Sequence, residues 1–545
     1  MNSPTENSSP AAPRVVLIIS NGAPLIGDPA VLGGRPCRHG ILRMPHLPLA
    51  ALAMTAATGV DPLVHDIVTS TVVHPADLTT GPATHADRRF PAFWTDAARS
   101  GLRTLAIDWP ASEDDPDLPD AITPTTVNTR VGEAEAVDSD RLAACVPPDA
   151  SAELQDAARH FLTRLDVTFA AAAEAINSES PPDLLAMVLR DSNTPVPDAA
   201  MSSAMNEKLD ALVSHLPADT PVLIVRRWVD ENGNATRAMP YAFTLVGGPQ
   251  TEAPDTLPGL SLSAVGGGTR RLAGLPCPHG VAVPQWKFVT WADADSNRPL
   301  PQGVRESDTD WDSLVDRVQA MPETPAKKKA ARCLTYRFAT LASIAVTRQR
   351  WSELKPLARW LVSLRGDVVD HWLAVYAANR LGDSDAVPTL ISAMASAHPN
   401  NDVTTIARCI VLATRDPDTT RAMLDPIDAA TLPAATALGT LGRLSLLVGL
   451  HEPGADAIQR AIQRGVACEA DRGILAAHLL RQGQPEHARQ ALGRLGGPNG
   501  AKHWCILRLR ILLALDHKDA AAQLAESILD RFPAEPTVVQ LMQTI

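Results

Sequence analysis

Short apolar runs alternate with helical stretches over about the first 290 residues. Residues 15–20 (VVLIIS) have the composition of a buried strand, and Asn21-Gly22 after them is a pair typical of turns. Further strands are predicted at residues 102–107, 184–189, 222–225 and 242–246. Helical patterning precedes most of these runs, for example over residues 93–99. Short apolar strands that alternate with helices predict a three-layer α/β fold with a mostly parallel sheet.

From about residue 311 the strand signals stop and helical patterns recur with a period of 33 residues. Leucines at 447, 480 and 513 show this period. The same spacing separates Ala455, Ala488 and Ala521, and also Ile458, Ala491 and Leu524. Such a period is typical of two-helix solenoid repeats. The sequence therefore predicts a tail at 1–13, an α/β domain at 14–310 and an all-α solenoid at 311–545.

The repeated region resembles tetratricopeptide repeats. Residues 479–492 (LLRQGQPEHARQAL) and 508–533 carry the family's pattern of small and large side chains, with a terminal proline at Pro533. Residues 371–399 resemble an earlier, more divergent unit. The resemblance implies no chemistry of its own but a concave face that binds a protein partner. The alternative is that the repeats only brace the first domain.

Composition narrows the classes of partner and compartment. The formal net charge is −12, and the one basic run is Lys327–Lys329, so binding to nucleic acid or anionic lipid is not indicated. No apolar run reaches the length of a membrane span, and residues 1–13 lack the features of a secretory signal. Seven cysteines at irregular spacing fit a reducing compartment. We expect a cytoplasmic protein that binds neither nucleic acid nor membrane.

The first half of the chain resembles the alkaline phosphatase superfamily, in particular its type I phosphodiesterase and nucleotide pyrophosphatase-like members. Residues 15–25 match the family's first strand and turn. Residues 44–67 match its nucleophile segment, with Thr58-Gly59, Pro62 and His65-Asp66 at the family's landmarks. The later landmarks follow in order at residues 90–112, 215–225, 240–249 and 271–280.

The resemblance also identifies where catalytic residues would stand. Members of the family hold two divalent metals, usually zinc or manganese, which activate a Ser or Thr nucleophile and stabilise charge during displacement. The nucleophile position is Leu49 here, and an isobutyl group cannot attack phosphorus. The family's ligand positions fall at Asn21, Thr194, Asp198, Arg227, Trp228 and Ala238. We therefore expect that both metals are lost and that no other cofactor is bound.

Two further sites are hypotheses from the sequence. The guanidinium of Arg226 or Arg227 would take the place of a metal or bind an anion, and the alternative is that both are ordinary charged residues at a strand end. The segments 36–40 (PCRHG) and 276–280 (PCPHG) are near copies. A tetrahedral zinc site would use their four side chains, Cys37, His39, Cys277 and His279. The alternative is two unrelated turns in Pro/Gly-rich loops.

Two functions from different classes follow. The favoured one is a degenerate phosphatase-like pseudoenzyme that acts as a scaffold and recruits a protein through its repeats. The other is a hydrolase of a phosphoester or related anionic substrate, with a site rebuilt around Asn21, Thr55, Asp191 and Asp198. The sequence assigns no small-molecule ligand.

Overall fold

A computed structural model describes most of the chain. The described residues are 13–26, 31–42, 47–112, 115–134, 137–189, 198–229, 241–246, 261–275, 277, 281, 309–493, 495–497, 500–533 and 535–543. For residues 21–26, 39–41, 198–199, 227–229, 241–243 and 263 only the backbone is described. Internal contacts divide the chain into two compact units, Met1–Ile344 and Ala345–Ile545, and each is treated separately below.

The first unit contains a seven-stranded sheet in the described ranges. Its strands are β1 (Val15–Ile26), β2 (Val31–Leu32), β3 (Arg35–Leu42), β6 (Thr104–Ile107), β7 (Leu184–Leu189), β8 (Val222–Val229) and β9 (Tyr241–Val246), in the order β2-β3-β9-β8-β1-β7-β6. A separate hairpin joins β4 (Thr71–Val73) and β5 (Thr80–Pro82). The central strands β8, β1, β7 and β6 are parallel.

The sheet is mixed, which corrects the prediction of a mostly parallel one. β9 lies antiparallel to β8, and β3 and β2 continue that antiparallel edge. Residues 35–42 (RPCRHGIL) show neither an apolar run nor a clean alternation, so no local pattern predicts the strand β3. Its strand conformation comes from pairing with β9, which no local pattern encodes.

The strand β1 continues past the predicted turn at Asn21-Gly22. Its pairing with β8 runs in register up to Ser20 and resumes at Leu25 after a register shift. The Asn-Gly pair is therefore absorbed as an irregularity inside a strand, where extra residues on one side of a ladder are accommodated by a bulge. The turn prediction was wrong here, because the strand continues past the pair and its pairing with β8 resumes at Leu25.

Helices cover both faces of this sheet. The described α-helices of the first unit are α1 (Leu49–Thr58), α2 (Pro62–His65), α3 (Phe93–Arg99), α4 (Pro124–Glu133), α5 (Ser139–Cys145), α6 (Ala152–Ile176), α7 (Asp198–His215), α8 (Leu262–Leu272), α9 (Trp311–Ala320) and α10 (Pro325–Thr347). Val16 and Ile18 of β1 pack in one core cluster with α6 and α7. Successive strand residues point to opposite faces, so Leu17 and Ile19, also fully buried, lie on the other side of the sheet, where α1 and α8 contact β1.

The second unit is built from paired helices. They are α11 (Trp351–Leu364), α12 (Val368–Leu381), α13 (Ala386–Ala397), α14 (Asp402–Leu412), α15 (Pro417–Leu424), α16 (Ala437–Leu447), α17 (His451–Gln463), α18 (Glu469–Arg481), α19 (Pro485–Leu492), α20 (Lys502–Ala514), α21 (Lys518–Arg531) and α22 (Pro536–Met542). Each even-numbered helix from α12 to α20 contacts the next even-numbered one. This arrangement is that of stacked helical repeats.

The 33-residue period corresponds to this stacking. Ala488 and Ala521 occupy equivalent places in α19 and α21, and both are fully buried. Residues 483–485 lie at the junction of α18 and α19, and residues 516–518 lie at the junction of α20 and α21. Small buried side chains at a fixed phase allow the two helices of each pair to approach closely.

Polar contacts also join helices that are further apart in the series. Trp372 on α12 donates through Nε1 to Thr436 Oγ1, just before α16, at 2.9 Å. Arg380 on the same helix approaches Cys468 Sγ, before α18, at 3.7 Å. Arg443 of α16 donates to the same sulfur at 3.4 Å and pairs with Asp471 of α18. The helices from α12 to α18 are therefore cross-linked beyond nearest neighbours.

The division between the units falls near the end of α10, whereas the sequence placed a domain boundary at 310/311. The helices α9 and α10 belong with the first unit because their side chains contact residues 66–76. Arg337 pairs with Asp66, and Arg317 donates to the backbone oxygens of Pro75 and Ala76. No helix in the described part of the chain has both the length and the apolar character of a membrane span.

Candidate functional site

The carboxyl ends of the parallel strands are the natural place for a site in this type of sheet, because ligands of open α/β sheets bind there. Arg226 lies near the end of β8, opposite Ser20 of β1, and only 2% of it is exposed. Its Nη1 donates to Asn206 Oδ1 at 2.5 Å and its Nη2 to Ser202 Oγ at 3.3 Å, both on α7. Burial lowers the pKa of Arg226 to about 9. The predicted binding arginine is therefore buried in the sheet–helix layer, where two neutral side chains of α7 accept from it.

A second buried cation lies at the end of β6. Asp108 follows this strand directly and is fully buried with a φ of 55°, a left-handed conformation that few non-glycine residues adopt. Arg164 of α6 donates to Asp108 Oδ2 through Nε at 3.0 Å and Nη2 at 2.7 Å, and to Asn128 through Nη1. Sequence reasoning missed this ion pair, although an Asp directly after a strand was the available signal.

Leu49, at the family's nucleophile position, is the first residue of α1 and is partly buried. The preceding Pro48 caps the helix without a side-chain hydrogen bond. A helix N-terminus offers unpaired N–H groups, which suit an anion. The side chain of Leu49 contains only carbon and hydrogen, so it contributes neither a nucleophile nor a donor.

Thr55, a candidate of the rebuilt site, lies two turns further along α1 and forms a hydrogen bond with His65. The Thr55 Oγ1–His65 Nε2 distance is 3.0 Å, and the Ile67 N–H donates to His65 Nδ1 at 3.1 Å. Because Nδ1 accepts, the ring proton is on Nε2 and is donated to Thr55. Burial, followed by the charge of Arg337, lowers the pKa of His65 to about 3. In this tautomer His65 cannot remove a proton from Thr55.

The C-terminal end of α1 is fixed by α8. Arg270 is fully buried and donates to the carbonyl oxygens of Ala57 at 3.3 Å and Thr58 at 3.0 Å, as well as to Asp96 at 2.9 Å. A cation at a helix C-terminus donates to carbonyl groups that have no partner within the helix, and its charge interacts favourably with the negative end of the helix dipole. The glycine run 266–268 lies inside α8.

Gly266 explains why glycine is needed there. A Cβ at Gly266 would lie 2.6 Å from Ala56 O and 2.7 Å from the backbone of Gly59. The two helices therefore cross in backbone contact, and any side chain at this position would separate them. Gly266 therefore serves helix packing.

The other predicted site residues fall into two groups. Asp191, Thr194, Ala238 and His279 lie outside the described residues. Only the backbone is described for Asn21 on β1, Asp198 at the start of α7, Arg227 and Trp228 on β8, and His39 on β3. The ligand set implied by the family resemblance therefore stays a prediction.

The paired Cys-x-His hypothesis is corrected in one respect. Cys37 and His39 lie in β3, hydrogen-bonded to β9, and not in a loop. Burial, together with Asp210, raises the pKa of Cys37 to about 12, and burial also raises the pKa of Cys277, whose thiol donates to Gly267 O at 3.4 Å. Zinc needs deprotonated thiols. Among the described side chains no group of three or more His, Cys, Asp or Glu residues could hold a metal ion.

The fold and these contacts define an α/β unit with a mixed sheet and a unit of stacked helix pairs. No family model matches the sequence, and no curated protein matches it significantly. Among solved structures, murine ectonucleotide pyrophosphatase / phosphodiesterase 5 is similar at 11% identity and a TM-score of 0.31, covering 49% of this chain and 97% of that one.

Two other solved structures are similar to parts of the chain. The Cut9–Hcn1 hetero-tetramer of APC/C matches at 11% identity and a TM-score of 0.28, covering 40% of this chain and 44% of that one. MamA from Desulfovibrio magneticus RS-1 matches at 17% identity and a TM-score of 0.19, covering 29% of this chain and 90% of that one. Because these TM-scores are all below 0.5, the likenesses assign neither an activity nor a partner to this chain.

Proposed function

We propose that this protein is a catalytically degenerate phosphatase-like pseudoenzyme that serves as a protein-binding scaffold through its stacked helices. The observation that carries the proposal is Leu49 as the first residue of α1. A phosphoryl-transfer site of this kind needs a nucleophilic oxygen there, and leucine supplies none. The nearest surviving hydroxyl on the same helix, that of Thr55, is buried and accepts a hydrogen bond from Nε2 of His65.

The helical unit supplies the surface for the scaffold role. Leu381 and Leu447 are the last residues of α12 and α16, and they are 44% and 62% exposed. Both lie on the even-numbered helices that stack on one another. Large apolar side chains exposed on a helical array are the kind of feature that a bound peptide or protein covers.

The catalytic half of the proposal is tested with the full chain and two generic substrates, p-nitrophenyl phosphate and bis(p-nitrophenyl) phosphate, in the presence of zinc or manganese. We expect no turnover above the rate of the metal ions alone. Hydrolysis that is lost in an Asp198→Asn variant would instead support the rebuilt-site hydrolase, since Asp198 is one of the residues assigned to that site and begins α7.

The scaffold half is tested by quantitative affinity purification of the full chain from its native host. A Leu381→Asp/Leu447→Asp variant is compared with Val31→Asp, which changes a similarly exposed residue, 56% exposed, on β2 of the first unit. We expect at least one reproducible partner that the double variant loses and the control retains. A partner set identical across the three proteins would contradict binding through this surface.

A further inference from the structure

A cavity of about 180 Å³ lies in the first unit, between the segment that follows α2 and the helices α9 and α10. Its lining includes Asp66, Val73, Arg89, Trp311 and Arg337. This space is roughly ten times what a single water molecule requires. A molecule of several heavy atoms therefore fits.

The charges that line the cavity are unevenly matched. Asp66 is shared by two guanidinium groups, with Arg337 Nη2 at 2.5 Å and Arg89 Nε at 3.3 Å from its carboxylate. Arg337 is 6% exposed, and its Nε has no hydrogen-bond partner among the described residues. The contact of Arg89 Nε with Asp66 lies outside hydrogen-bond geometry, so this donor is also unfilled in the described part. Each guanidinium group carries five N–H donors, and one carboxylate cannot accept hydrogen bonds from all the donors of two such groups.

A third arginine lines the cavity. Arg88 pairs with Asp115 at 2.9 Å, an oxygen to which Trp94 donates as well. The pair Arg88–Asp115 is thus locally neutral, and the lining itself holds three arginines and two aspartates, Asp66 and Asp87. The low pKa of the neighbouring His65 fits a positive surrounding, because Arg337 and Arg88 both lower it after burial.

Part of the rest of the wall is apolar or aromatic, beside the polar residues Thr71, Asp87 and Thr309. Val72, Val73, Pro75 and Leu334 contribute aliphatic surface, and the Arg337 guanidinium lies 4.6 Å from the Trp311 ring centroid. A guanidinium stacked on an aromatic ring is held in orientation while its edge stays able to bind an oxyanion. The lining therefore combines a cationic end with an apolar side.

This cavity is not the strand-end site. Its lining includes neither Leu49 nor Arg226, and Asp66 follows His65, whose partner Thr55 lies about 9 Å along α1 from Leu49. The residues Trp311 and Arg337 come from helices outside the region that resembles the phosphatase family.

We propose that this cavity binds a small organic oxyanion, with its phosphate or carboxylate group on Arg89 and Arg337 and its apolar part against Val73 and Trp311. Arginine forks suit both anions, and a partly desolvated guanidinium binds them more strongly than an exposed one. Asp66 holds the two arginines in position and offsets one of their two positive charges.

Cys333 provides a reporter for occupancy. It lines the cavity and is the one partly exposed cysteine, since the other six of the seven are buried. Its thiol donates to Thr71 O at 3.2 Å, and burial raises its pKa. Alkylation by iodoacetamide at mildly alkaline pH, followed by peptide mass spectrometry, should therefore modify Cys333 first. A ligand in the cavity slows this reaction by a factor of 1 + [L]/Kd.

The experiment measures the alkylation rate of Cys333 in the full chain with inorganic phosphate, phenyl phosphate or benzoate. We expect about tenfold protection at ten times the Kd of phenyl phosphate or benzoate, and less from inorganic phosphate because it lacks an apolar part. Stronger protection by phenyl phosphate assigns a phosphate ligand, and stronger protection by benzoate assigns a carboxylate. No protection by any of the three would overturn the proposal.

Variants separate binding from general charge effects. Arg337→Gln/Asp66→Asn removes one charge of each sign and keeps at position 66 a residue that tolerates its φ of 68°. Arg159→Gln/Asp156→Asn makes the same change in an exposed pair on α6. Protection should disappear in the first variant and persist in the second. If the first variant does not fold, Arg89→Gln must lose protection, and equal protection in all folded variants would refute the site.

Discussion

The buried hydrogen bond between His65 and Thr55 predicts a specific pH dependence of stability. His65 is fully buried, and its pKa in the folded protein is about 3, against 6.5 for an exposed histidine. Below pH 6.5 the unfolded chain binds a proton at this residue while the folded chain does not. Stability from this group is therefore full above pH 6.5 and declines as the pH falls from 6.5 towards 3.

The magnitude follows from the two pKa values. Each pH unit between them costs about 1.4 kcal/mol, so the free energy of unfolding should fall by about 2 kcal/mol between pH 7 and pH 5 through His65 alone. A His65→Gln variant keeps a donor for Thr55 but cannot titrate. It is expected to be less stable at pH 7, because the Ile67 N–H loses its acceptor, and to lack this part of the pH dependence.

The assay is pulse proteolysis in urea at pH 5, 6 and 7, followed by mass spectrometry of the peptide that contains α1. This readout reports unfolding of the first unit separately from the helical unit. His487→Gln, which replaces an exposed histidine on α19, serves as the matched control and should behave as the wild type. Parallel pH profiles for wild type and His65→Gln would refute the neutral, buried state of His65 and with it the tautomer argument about Thr55.

Two packing predictions follow from glycines with no room for a side chain. Gly266→Ala should destabilise the first unit by about 1–3 kcal/mol, because its Cβ would lie 2.6 Å from Ala56 O. Gly132→Ala on α4, which has open space around it, should be neutral or stabilise by up to about 1 kcal/mol. Urea denaturation of both variants, followed by the same proteolytic readout, tests this, and equal effects would contradict the helix crossing. Gly473→Ala should lower the stability of the helical unit by a similar amount, since its Cβ would meet the Trp504 ring at 2.0 Å, and circular dichroism should show a thermal midpoint several degrees lower, with an unchanged midpoint counting against this contact.

Local sequence patterns predicted those strands and helices whose apolar positions match their burial in the structure. The strand β7 coincides with the predicted run at 184–189, and α3 coincides with the helical stretch at 93–99. All six side chains of β7 are buried, because this strand lies inside the sheet with helices on both faces. A continuous aliphatic run is the expected signature of such a strand.

Elements that depend on distant partners were not predictable in the same way. The strand β3 forms by pairing with β9, about 200 residues further along the chain, and the glycine run of α8 becomes helical by packing on α1. The strand-end site and the arginine-lined cavity differ in the same way. Leu49 could be placed from the order of segments, but the sharing of Asp66 between Arg89 and Arg337 joins residues up to 271 positions apart (66 and 337) and leaves no trace in local sequence.

The contacts of Trp372 and Arg380 with residues before α16 and α18 have a consequence for how the second unit comes apart. An array in which each repeat touches only its neighbours loses repeats one at a time from its ends. The cross-links from α12 to α18 bind several repeats into one cooperative block, whereas the contacts shown for α19 to α22 in the described residues join helices close to them in the series. Opening should therefore be easier in α19 to α22 than in the block from α12 to α18, so that amide exchange divides this unit into a fast-exchanging and a slow-exchanging part.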